Sequence, residues 1–393
     1  MTTGQTDTPL GFATEAAALP PPPSRHALLP SDTAAAAPIA GDTPTDTDPP
    51  TDTDPPTATS ATGAAGATGD PGSSGVAGGE IPLGGAHPPS AAELALTPAI
   101  LAAVTTSPPP TDAEVSTFLT PATLTRYLRA RDGSVPAAAA ALSATLDWRR
   151  RAAPGAAPCP GCVARPSAHS FVPLGTCVAG RPVVYSSFVG VTDKSGDGNE
   201  AHLAWALEEL LGAADTRTYV WVMDFAGFGR ADLSPAVGRR SLSLFAAHYP
   251  ERLSAAIVVD APPLFSALYR LLRPFIDPVT AAKLTMVRTT GGGAAALWDR
   301  LFPPELAARV TAEVADSRAR AAAAAATTGA GQGGWARRMF GVGGGGTPNE
   351  APPVPPTAVK EGVWWTRPPL PGTGVPYIGG MILEARAAAG KGG

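Results

Sequence analysis

Residues 255–276 read AAIVVDAPPLFSALYRLLRPFI and contain two consecutive elements of secondary structure. The first part, AAIVVDAP (255–262), is an apolar run of the length and composition that predict a strand buried on both faces. The second part, PPLFSALYRLLRPFI (262–276), opens with a proline pair and is interrupted by Pro274, which predicts a helix between them. The stretch therefore predicts a buried strand that leads directly into an unusually apolar helix.

The same alternation continues on both sides of this stretch. Further strands are predicted at RPVVYSSFV (181–189), TYVWVMDF (218–225) and AKLTMVR (282–288). Helices are predicted between them at EAHLAWALEELLG (200–212) and GRRSLSLFAAHYP (238–250). Strands that alternate with helices, and that are rich in valine and isoleucine, predict an α/β domain with a largely parallel sheet.

Two helices are predicted ahead of the sheet. Leu124, Tyr127 and Leu128 recur at helical spacing and alternate with arginines, which indicates an amphipathic helix with a basic face. Leu142 and Leu146 lie one turn apart in a second helix. We therefore predict a small helical lobe over residues 112–152, followed by an α/β domain over residues 170–310.

The ends of the chain differ in composition from this central part. The protein has 393 residues, of which 44 are glycine and 45 are proline, well above average usage. The first 90 residues hold ten acids, one base and a single aromatic residue, too little apolar surface for a core. We expect a disordered acidic tail over residues 1–111, a low-complexity insertion over 311–374, and a closing segment with a C-terminal tail over 375–393.

Charge and cysteine usage narrow the class of protein. The whole chain carries −4 and its first 90 residues −9, so residues 91–393 carry +5. This small excess of positive charge is compatible with weak binding to anionic surfaces, but it is lower than the charge density typical of a nucleic-acid-binding protein. The three cysteines, an odd number, argue against a disulfide-built secreted domain. With no signal peptide and no apolar run of the ~20 residues that span a bilayer, we expect a cytoplasmic protein.

Six motifs occur in an order typical of one family. They are LTRYLRAR (124–131), DWRRR (147–151), GRPVVY (180–185), VMDFAGFG (222–229), HYPERL (248–253) and RPFIDPVTAAK (273–283). In this order they resemble the CRAL-TRIO, or Sec14-like, family of lipid-transfer domains. The resemblance implies an α/β fold in which a helical N-terminal lobe precedes a mostly parallel sheet that floors an apolar lipid cavity. It also implies a mobile gate helix at the membrane, and PPLFSALYRLLRPFI corresponds to that helix.

The resemblance further implies a set of headgroup-binding residues. In members that bind phosphatidylinositol, these lie in Leu-Arg-Ala-Arg, Tyr-Pro-Glu-Arg and Asp-Pro-Val-Thr-x-x-Lys motifs. The matching residues here are Arg131, Glu251, Thr280 and Lys283. A carboxylate accepts hydrogen bonds from inositol hydroxyls, while a cation and a hydroxyl donate to the phosphodiester, which offsets the cost of burying the headgroup. Taken singly, Arg131 could instead cap its own helix, and the other three could be ordinary surface residues.

The gate helix and one strand are expected to line the cavity. The cavity and gate residues implied by the resemblance are Tyr219, Trp221, Leu264, Phe265, Leu268, Tyr269, Leu272 and Phe275. A helix this apolar is either buried in the core or in contact with lipid, and its pattern alone leaves both open. In a gate, Phe265 and Leu272 would belong to the face that enters the membrane surface.

Two bulky residues bear on lipid selectivity. Family members that also exchange phosphatidylcholine carry small hydroxyl residues at the positions of Tyr219 and Trp221. Alternate strand positions face the same side, so both aromatic side chains would occupy the place of those hydroxyls. We expect phosphatidylinositol binding with weak or absent phosphatidylcholine transfer, unless the two aromatics merely fill a tighter core.

A pair of cysteines has the spacing of a zinc or redox site. Cys159 and Cys162 are separated by two residues, and His169 and Cys177 follow. A second ligand pair at regular spacing is missing, as is the strand–helix context of a thioredoxin site. The sequence therefore favours plain loop cysteines and predicts no metal.

The sequence as a whole predicts a carrier rather than an enzyme. By resemblance, the protein extracts phosphatidylinositol, associates transiently with membranes, and delivers the lipid or presents it to a lipid kinase. The Gly-x-Ser-x-Gly elbow of an α/β-hydrolase is absent, and no cofactor other than the bound phospholipid and no nucleic acid is expected. The alternatives are carriage of another hydrophobic ligand, sterol-like or tocopherol-like, and an interaction module that binds no lipid.

Overall fold

The structure is a computed structural model that describes residues 87–212, 217–327 and 367–390. Its first helices form a lobe ahead of the sheet: α1 (Ala91–Ala103), α2 (Asp112–Thr117), α3 (Pro121–Arg129) and α4 (Val135–Ala152). Their apolar sides share one core, in which Tyr127 and Leu142 are fully buried. The Tyr127 hydroxyl lies 3.0 Å from the Thr145 hydroxyl and donates to the carbonyl of His248 at 3.1 Å. This contact ties the helical lobe to the α/β part of the domain.

The lobe begins earlier than the sequence predicts. Helix α1 lies inside the expected tail of residues 1–111, so that boundary is wrong. Ser90 and Glu93 form a capping box at its start, Glu93 is paired with Arg129 of α3 at 2.6 Å, and Ile100 is fully buried. The sequence signal is weak because α1 contains Pro98 and is rich in alanine. Residues 1–86 of the predicted tail lie outside the described residues.

A five-stranded sheet follows the lobe. Its strands are β1 (Val172–Thr176), β2 (Pro182–Ser187), β3 (Tyr219–Asp224), β4 (Leu253–Val259) and β5 (Leu284–Val287). They lie side by side in chain order, with β1 antiparallel to β2 and every later pair parallel. This arrangement confirms the predicted α/β fold with a helical N-terminal lobe and a mostly parallel sheet.

The remaining helices cover both faces of the sheet. They are α5 (Pro160–Ala164), α6 (Gly196–Leu211), α7 (Pro235–His248), α8 (Pro263–Leu272), α9 (Pro278–Ala282), α10 (Gly293–Leu301), α11 (Pro304–Thr327) and α12 (Ile378–Gly390), and a 3-10 turn (Arg273–Phe275) extends α8. Neighbouring residues of a strand point to opposite faces, so Val220 belongs to the core cluster that contains Trp298 of α10, whereas Tyr219 belongs to the cluster that contains Ile378 of α12. None of the described helices combines the length and the apolarity that crossing a bilayer requires.

Helix α11 crosses the predicted start of the low-complexity insertion. Residues 311–327 continue this helix, so the boundary at residue 311 is wrong. Glu313 and Ser317 are fully buried, and Val314 is 6 % exposed. The sequence does not predict these contacts, because the end of α11 is rich in alanine and alanine repeats are typical of low-complexity segments. Residues 328–366 of the predicted insertion lie outside the described residues.

Candidate functional site

Helix α8 packs on a group of aromatic side chains at the carboxyl ends of the parallel strands. This aromatic cluster consists of Phe188, Phe225, Phe228, Phe265 and Tyr269. The Phe225 ring meets the Phe265 ring at a centroid distance of 4.6 Å, edge to face, and Phe265 is 8 % exposed. Aromatic pairs at this distance stabilise their contact beyond simple area burial. The inner side of α8 is therefore closed on the sheet.

The outer side of the same segment carries an apolar strip. We give this name to Leu271, Phe275 and Val279, whose side chains are 53 %, 40 % and 45 % exposed. The described residues include seven exposed large hydrophobic side chains, and three of them fall within these nine residues. The Arg239 guanidinium lies 5.7 Å from the Phe275 ring centroid, and Arg273 is exposed on the same turn. Exposed apolar and basic side chains together are typical of a surface that binds anionic bilayers.

The outward face of α8 is not the one that the sequence predicts. Phe265 belongs to the buried aromatic cluster, and Leu272 is half-buried against α7, where a Cβ added to Gly238 would lie 2.8 Å from its Cδ1. The expectation that these two residues enter the membrane surface is therefore wrong for this closed arrangement. Leu264, Leu268 and Tyr269 are half-buried. Of the predicted gate residues, Phe275 is the exposed one.

Tyr219 and Trp221 fill space on the helix-covered face of β3. Tyr219 is 2 % exposed, and its ring meets the Phe171 ring at 5.9 Å. The Trp221 ring packs between Phe171 at 5.3 Å and Phe245 of α7 at 5.8 Å, and its indole N–H donates to the Ser186 hydroxyl at 2.9 Å. Burial raises the pKa of Tyr219, so its phenol stays neutral. Both side chains are held by packing on several sides.

The structure brings two of the four predicted headgroup residues together. The Lys283 ammonium, which precedes β5, lies 3.8 Å from the Glu251 carboxylate, which precedes β4. Their side chains are 12 % and 36 % exposed. Glu251 adopts a φ of 57°, a left-handed conformation that costs about 1 kcal/mol or more for a residue with a side chain. The pair thus lies at the amino ends of two neighbouring strands, shielded on one side.

Arg131 and Thr280 make local contacts instead. An Arg131 guanidinium N–H donates to the carbonyl of Ala130 at 3.0 Å, at the end of its own helix. The backbone N–H of Thr280 donates to the carboxylate of Asp277, the N-cap residue of α9, at 2.9 Å. The two residues are half-buried, and among the described residues neither side chain hydrogen-bonds to the side chain of Glu251 or Lys283.

The other charge of the HYPERL motif has a structural role. Arg252 is 3 % exposed and donates to the carbonyls of Arg217 and Gly212, both at 3.0 Å. Gly212 follows α6 and Arg217 precedes β3, so Arg252 links the end of that helix to the start of that strand. The neighbouring His248 stacks on Trp148 at 4.0 Å, and burial lowers its pKa to about 4. The motif therefore joins the lobe to the sheet as well as supplying Glu251.

A buried network of charges lies at the carboxyl edge of the sheet and was missed by sequence reasoning. The Arg318 guanidinium of α11 is 2.9 Å from the fully buried Asp224 carboxylate and also pairs with Asp260. The Tyr185 hydroxyl donates to Asp224 at 2.6 Å, and the Thr289 hydroxyl donates to Asp260 at 2.6 Å. Asp224 ends one buried strand and Asp260 directly follows the next, a pattern that indicates a polar site at this edge of the sheet. Their partner Arg318 lies in the range predicted as an insertion, so the sequence does not show the pairing.

Comparison with known proteins places the α/β part in a family. Residues 170–293 match the CRAL/TRIO domain. A CRAL-TRIO domain-containing protein of Schizosaccharomyces pombe is 29 % identical over 170 residues, which cover 42 % of this chain and 17 % of the relative. The phosphatidylinositol transfer protein PDR17 of Saccharomyces cerevisiae is 27 % identical over 180 residues, which cover 40 % of this chain and 49 % of that protein. The chain spans less than half the length of these curated relatives.

Among solved structures, the crystal structure of Sfh5 is similar with a TM-score of 0.40 and 16 % identity, covering 52 % of this chain and 80 % of that one. The domain match, the order of the six motifs and the observed sheet agree on one family. Residues 170–293 of the chain therefore match the CRAL/TRIO domain family.

Proposed function

We propose that this protein binds phosphatidylinositol and carries it between membranes or presents it to a lipid kinase, without catalysing a reaction itself. The observation that carries the proposal is the Glu251–Lys283 pair beside the 3-10 turn and α9. Its separation of 3.8 Å is longer than a hydrogen bond, so the ammonium donors are not consumed by the carboxylate. An acidic acceptor next to a basic donor matches a headgroup that offers both hydroxyls and a phosphate.

Arg131 and Thr280 complete the proposed headgroup set only after rearrangement. Both are half-buried, and their side chains make local contacts or none that engage the pair. A hydrogen bond from an arginine to a carbonyl of its own turn contributes little free energy. Arg131 can therefore exchange this bond for a stronger one to a charged phosphate oxygen. We therefore place the headgroup between α3, the HYPERL turn and α9.

The gate role of α8 is supported by its two unlike sides. The inner side rests on the aromatic cluster, which an acyl chain would replace with equivalent apolar contact when α8 moves away. The outer side presents the apolar strip, whose burial in a bilayer would contribute favourable free energy at the moment of opening. The helix can thus exchange one apolar environment for another, which is the physical requirement for a gate.

The direct test of the ligand is lipid mass spectrometry of the purified protein, joined to transfer assays with two lipids. We expect phosphatidylinositol to co-purify and to be transferred between vesicles, while phosphatidylcholine is transferred at least about tenfold more slowly. The reason is that Tyr219 and Trp221 are packed against Phe171 and Phe245 and leave the wall of β3 without small hydroxyl donors. Equal transfer of both lipids would contradict the selectivity, and a co-purifying sterol-like or tocopherol-like molecule would contradict the ligand.

The apolar strip gives a second prediction. The double change Leu271→Asp with Phe275→Asp should weaken binding to anionic vesicles by at least about tenfold, because two apolar contacts with the bilayer are replaced by like charges. The thermal midpoint should stay near that of the wild type, since about half of each side chain already faces solvent. Val178→Asp is the matched control, because Val178 is 61 % exposed on a turn outside the strip. A control that loses vesicle binding as strongly would show that the strip has no special role.

A further inference from the structure

Four metal-ligating side chains meet in one buried cluster beside α6. They are Cys159, Cys162, His169 and His202, each at most 1 % exposed. One ligand atom from each residue can be chosen so that all four lie within 4.8 Å of one another. They come from three separate parts of the chain: the start of α5, the loop before β1, and the buried face of α6. We call this group the Cys/His cluster.

Three sulfur–nitrogen distances within the cluster are those expected for tetrahedral coordination. His169 Nδ1 lies 3.6 Å from Cys159 Sγ and 3.5 Å from Cys162 Sγ, and His202 Nδ1 lies 3.5 Å from Cys162 Sγ. A zinc ion with bonds of about 2.3 Å to sulfur and about 2.0–2.1 Å to nitrogen separates these ligands by roughly 3.6 Å in a tetrahedron. The observed sulfur–nitrogen separations therefore leave room for an ion between the ligand atoms.

We infer that the Cys/His cluster is a structural zinc site formed by Cys159, Cys162, His169 and His202. The sequence favoured loop cysteines because it showed only the first ligand pair. The second pair is present but not local, since His169 and His202 are brought together by folding. Two sulfurs and two nitrogens in a closed tetrahedral set are typical of zinc that holds a fold together and leaves no open position for catalysis.

The surroundings of His169 resemble those of a metal ligand. Its far ring nitrogen, Nε2, lies 3.2 Å from the Asp193 carboxylate, which itself accepts a hydrogen bond from the Ser195 backbone N–H at 2.9 Å. A carboxylate at this position fixes the ring and makes the opposite nitrogen a better ligand. Gly198 is needed here, because a Cβ at that position would collide with the Asp193 carboxylate and lie 2.9 Å from His169 Nε2.

The proposed ion would tie together three separate parts of the chain. It would fasten α5 and the loop before β1 to α6, and α5 in turn supports α12 through hydrogen bonds from Arg386 to the carbonyls of Val163 and Ala164. This site is independent of the proposed lipid function, because none of its residues belongs to the headgroup set or to α8.

The test is metal analysis of the full-length protein, expressed with added zinc and purified by gel filtration. We expect about one zinc ion per chain in the wild type and less than about a tenth of that in Cys162→Ser and His202→Ala, which remove one of four ligands. Cys177→Ser is the matched control: Cys177 is also buried, 3 % exposed, but belongs to the core cluster around Trp298. This variant should keep its zinc.

Substitution with Co²⁺ tests the metal site in the wild-type protein, so the result does not depend on whether the ligand variants fold. Wild-type protein refolded with Co²⁺ should show the intense visible bands of a tetrahedral site and sulfur-to-metal charge transfer, and zinc should displace them. Cys177→Ser should give the same spectrum. Folded wild-type protein that holds no zinc after refolding with it, that contains iron instead, or whose Cys159 and Cys162 are joined by a disulfide would overturn the inference.

Discussion

Replacing Arg318 with alanine is expected to lower the free energy of unfolding by roughly 3 kcal/mol and the thermal midpoint by about 6–10 °C. The change leaves the fully buried Asp224 carboxylate without its cation, 2.9 Å away in the wild type. Breaking a buried pair costs more than forming it contributed, because the remaining charge stays desolvated. The expected loss of stability is at the low end of the range for broken buried ion pairs, because the Arg318 side chain is 29 % exposed.

The effect should be large because the network joins distant parts of the chain. Arg318 lies on α11, Asp224 ends β3 and Asp260 directly follows β4, so one guanidinium holds the helix to the ends of two strands. Tyr185 of β2 extends the network through its bond to Asp224 and lies 2.8 Å from the Ser317 hydroxyl of α11. Removing Arg318 thus loosens α11 as well as exposing an unpaired charge.

Two comparisons separate this cause from a general loss of charge. Arg300→Ala removes an exposed arginine from α10, which packs on the same face of the sheet, and should leave the thermal midpoint within about 2 °C of the wild type. The double change Arg318→Met with Asp224→Asn should be less destabilising than the sum of the single changes, because no unpaired charge stays buried. An Arg318→Ala variant that melts like Arg300→Ala would contradict a stabilising network.

The same network predicts a dependence on pH. Burial alone would raise the pKa of Asp260, but hydrogen bonds from Thr289 and Arg318 outweigh burial and lower it. The stabilisation from this lowered pKa is therefore complete above the pKa of an unfolded aspartate, about 4, and is lost as the pH falls through the folded value. The difference in unfolding free energy between wild type and Arg318→Ala should narrow in acid.

Sequence reasoning succeeded where the physical signal is local. The run AAIVVDAP predicted β4, because five consecutive apolar residues favour a strand buried on both faces. Ala255, Ile257 and Val259 are buried on one face, and Ala256 and Val258 are buried on the other. Proline pairs and hydrophobic periodicity likewise located α8. The motif order predicted the family, which the domain match over residues 170–293 confirms.

Sequence reasoning failed where the partners are far apart along the chain. Asp224 and Arg318 are 94 residues apart, and α11 around Arg318 is so rich in alanine that it resembled a linker. His202 sits on the buried face of a helix whose leucines dominated the pattern, 40 residues from Cys162. The sequence also does not show which side of α8 is exposed, because most of its residues are apolar. The expectation that Phe265 faces the membrane is therefore wrong: this residue packs in the aromatic cluster.

Lys283→Ala is expected to reduce phosphatidylinositol transfer by at least about tenfold while leaving the thermal midpoint nearly unchanged. A hydrogen bond between charged groups contributes about 1.5–3 kcal/mol when one partner would otherwise be left unsatisfied, and 1.4 kcal/mol is a factor of ten in affinity. Stability should hardly change, because an ion pair at 3.8 Å with Glu251 36 % exposed contributes about 0–1 kcal/mol. Vesicle transfer of labelled phosphatidylinositol, run beside a thermal melt, measures both quantities.

A charge-swapped variant separates a ligand contact from a merely structural ion pair. In Glu251→Lys with Lys283→Glu, the pair is restored in reverse, so any structural role should be rescued. Headgroup binding should not be rescued, because the cation and the acceptor have exchanged places relative to the phosphate and the inositol hydroxyls. Arg288→Ala, which removes an exposed positive charge just after β5, controls for the loss of net charge and should transfer like the wild type. Wild-type transfer by Lys283→Ala, or full rescue by the swap, would mean that Glu251 and Lys283 hold the turn together and that the headgroup binds elsewhere.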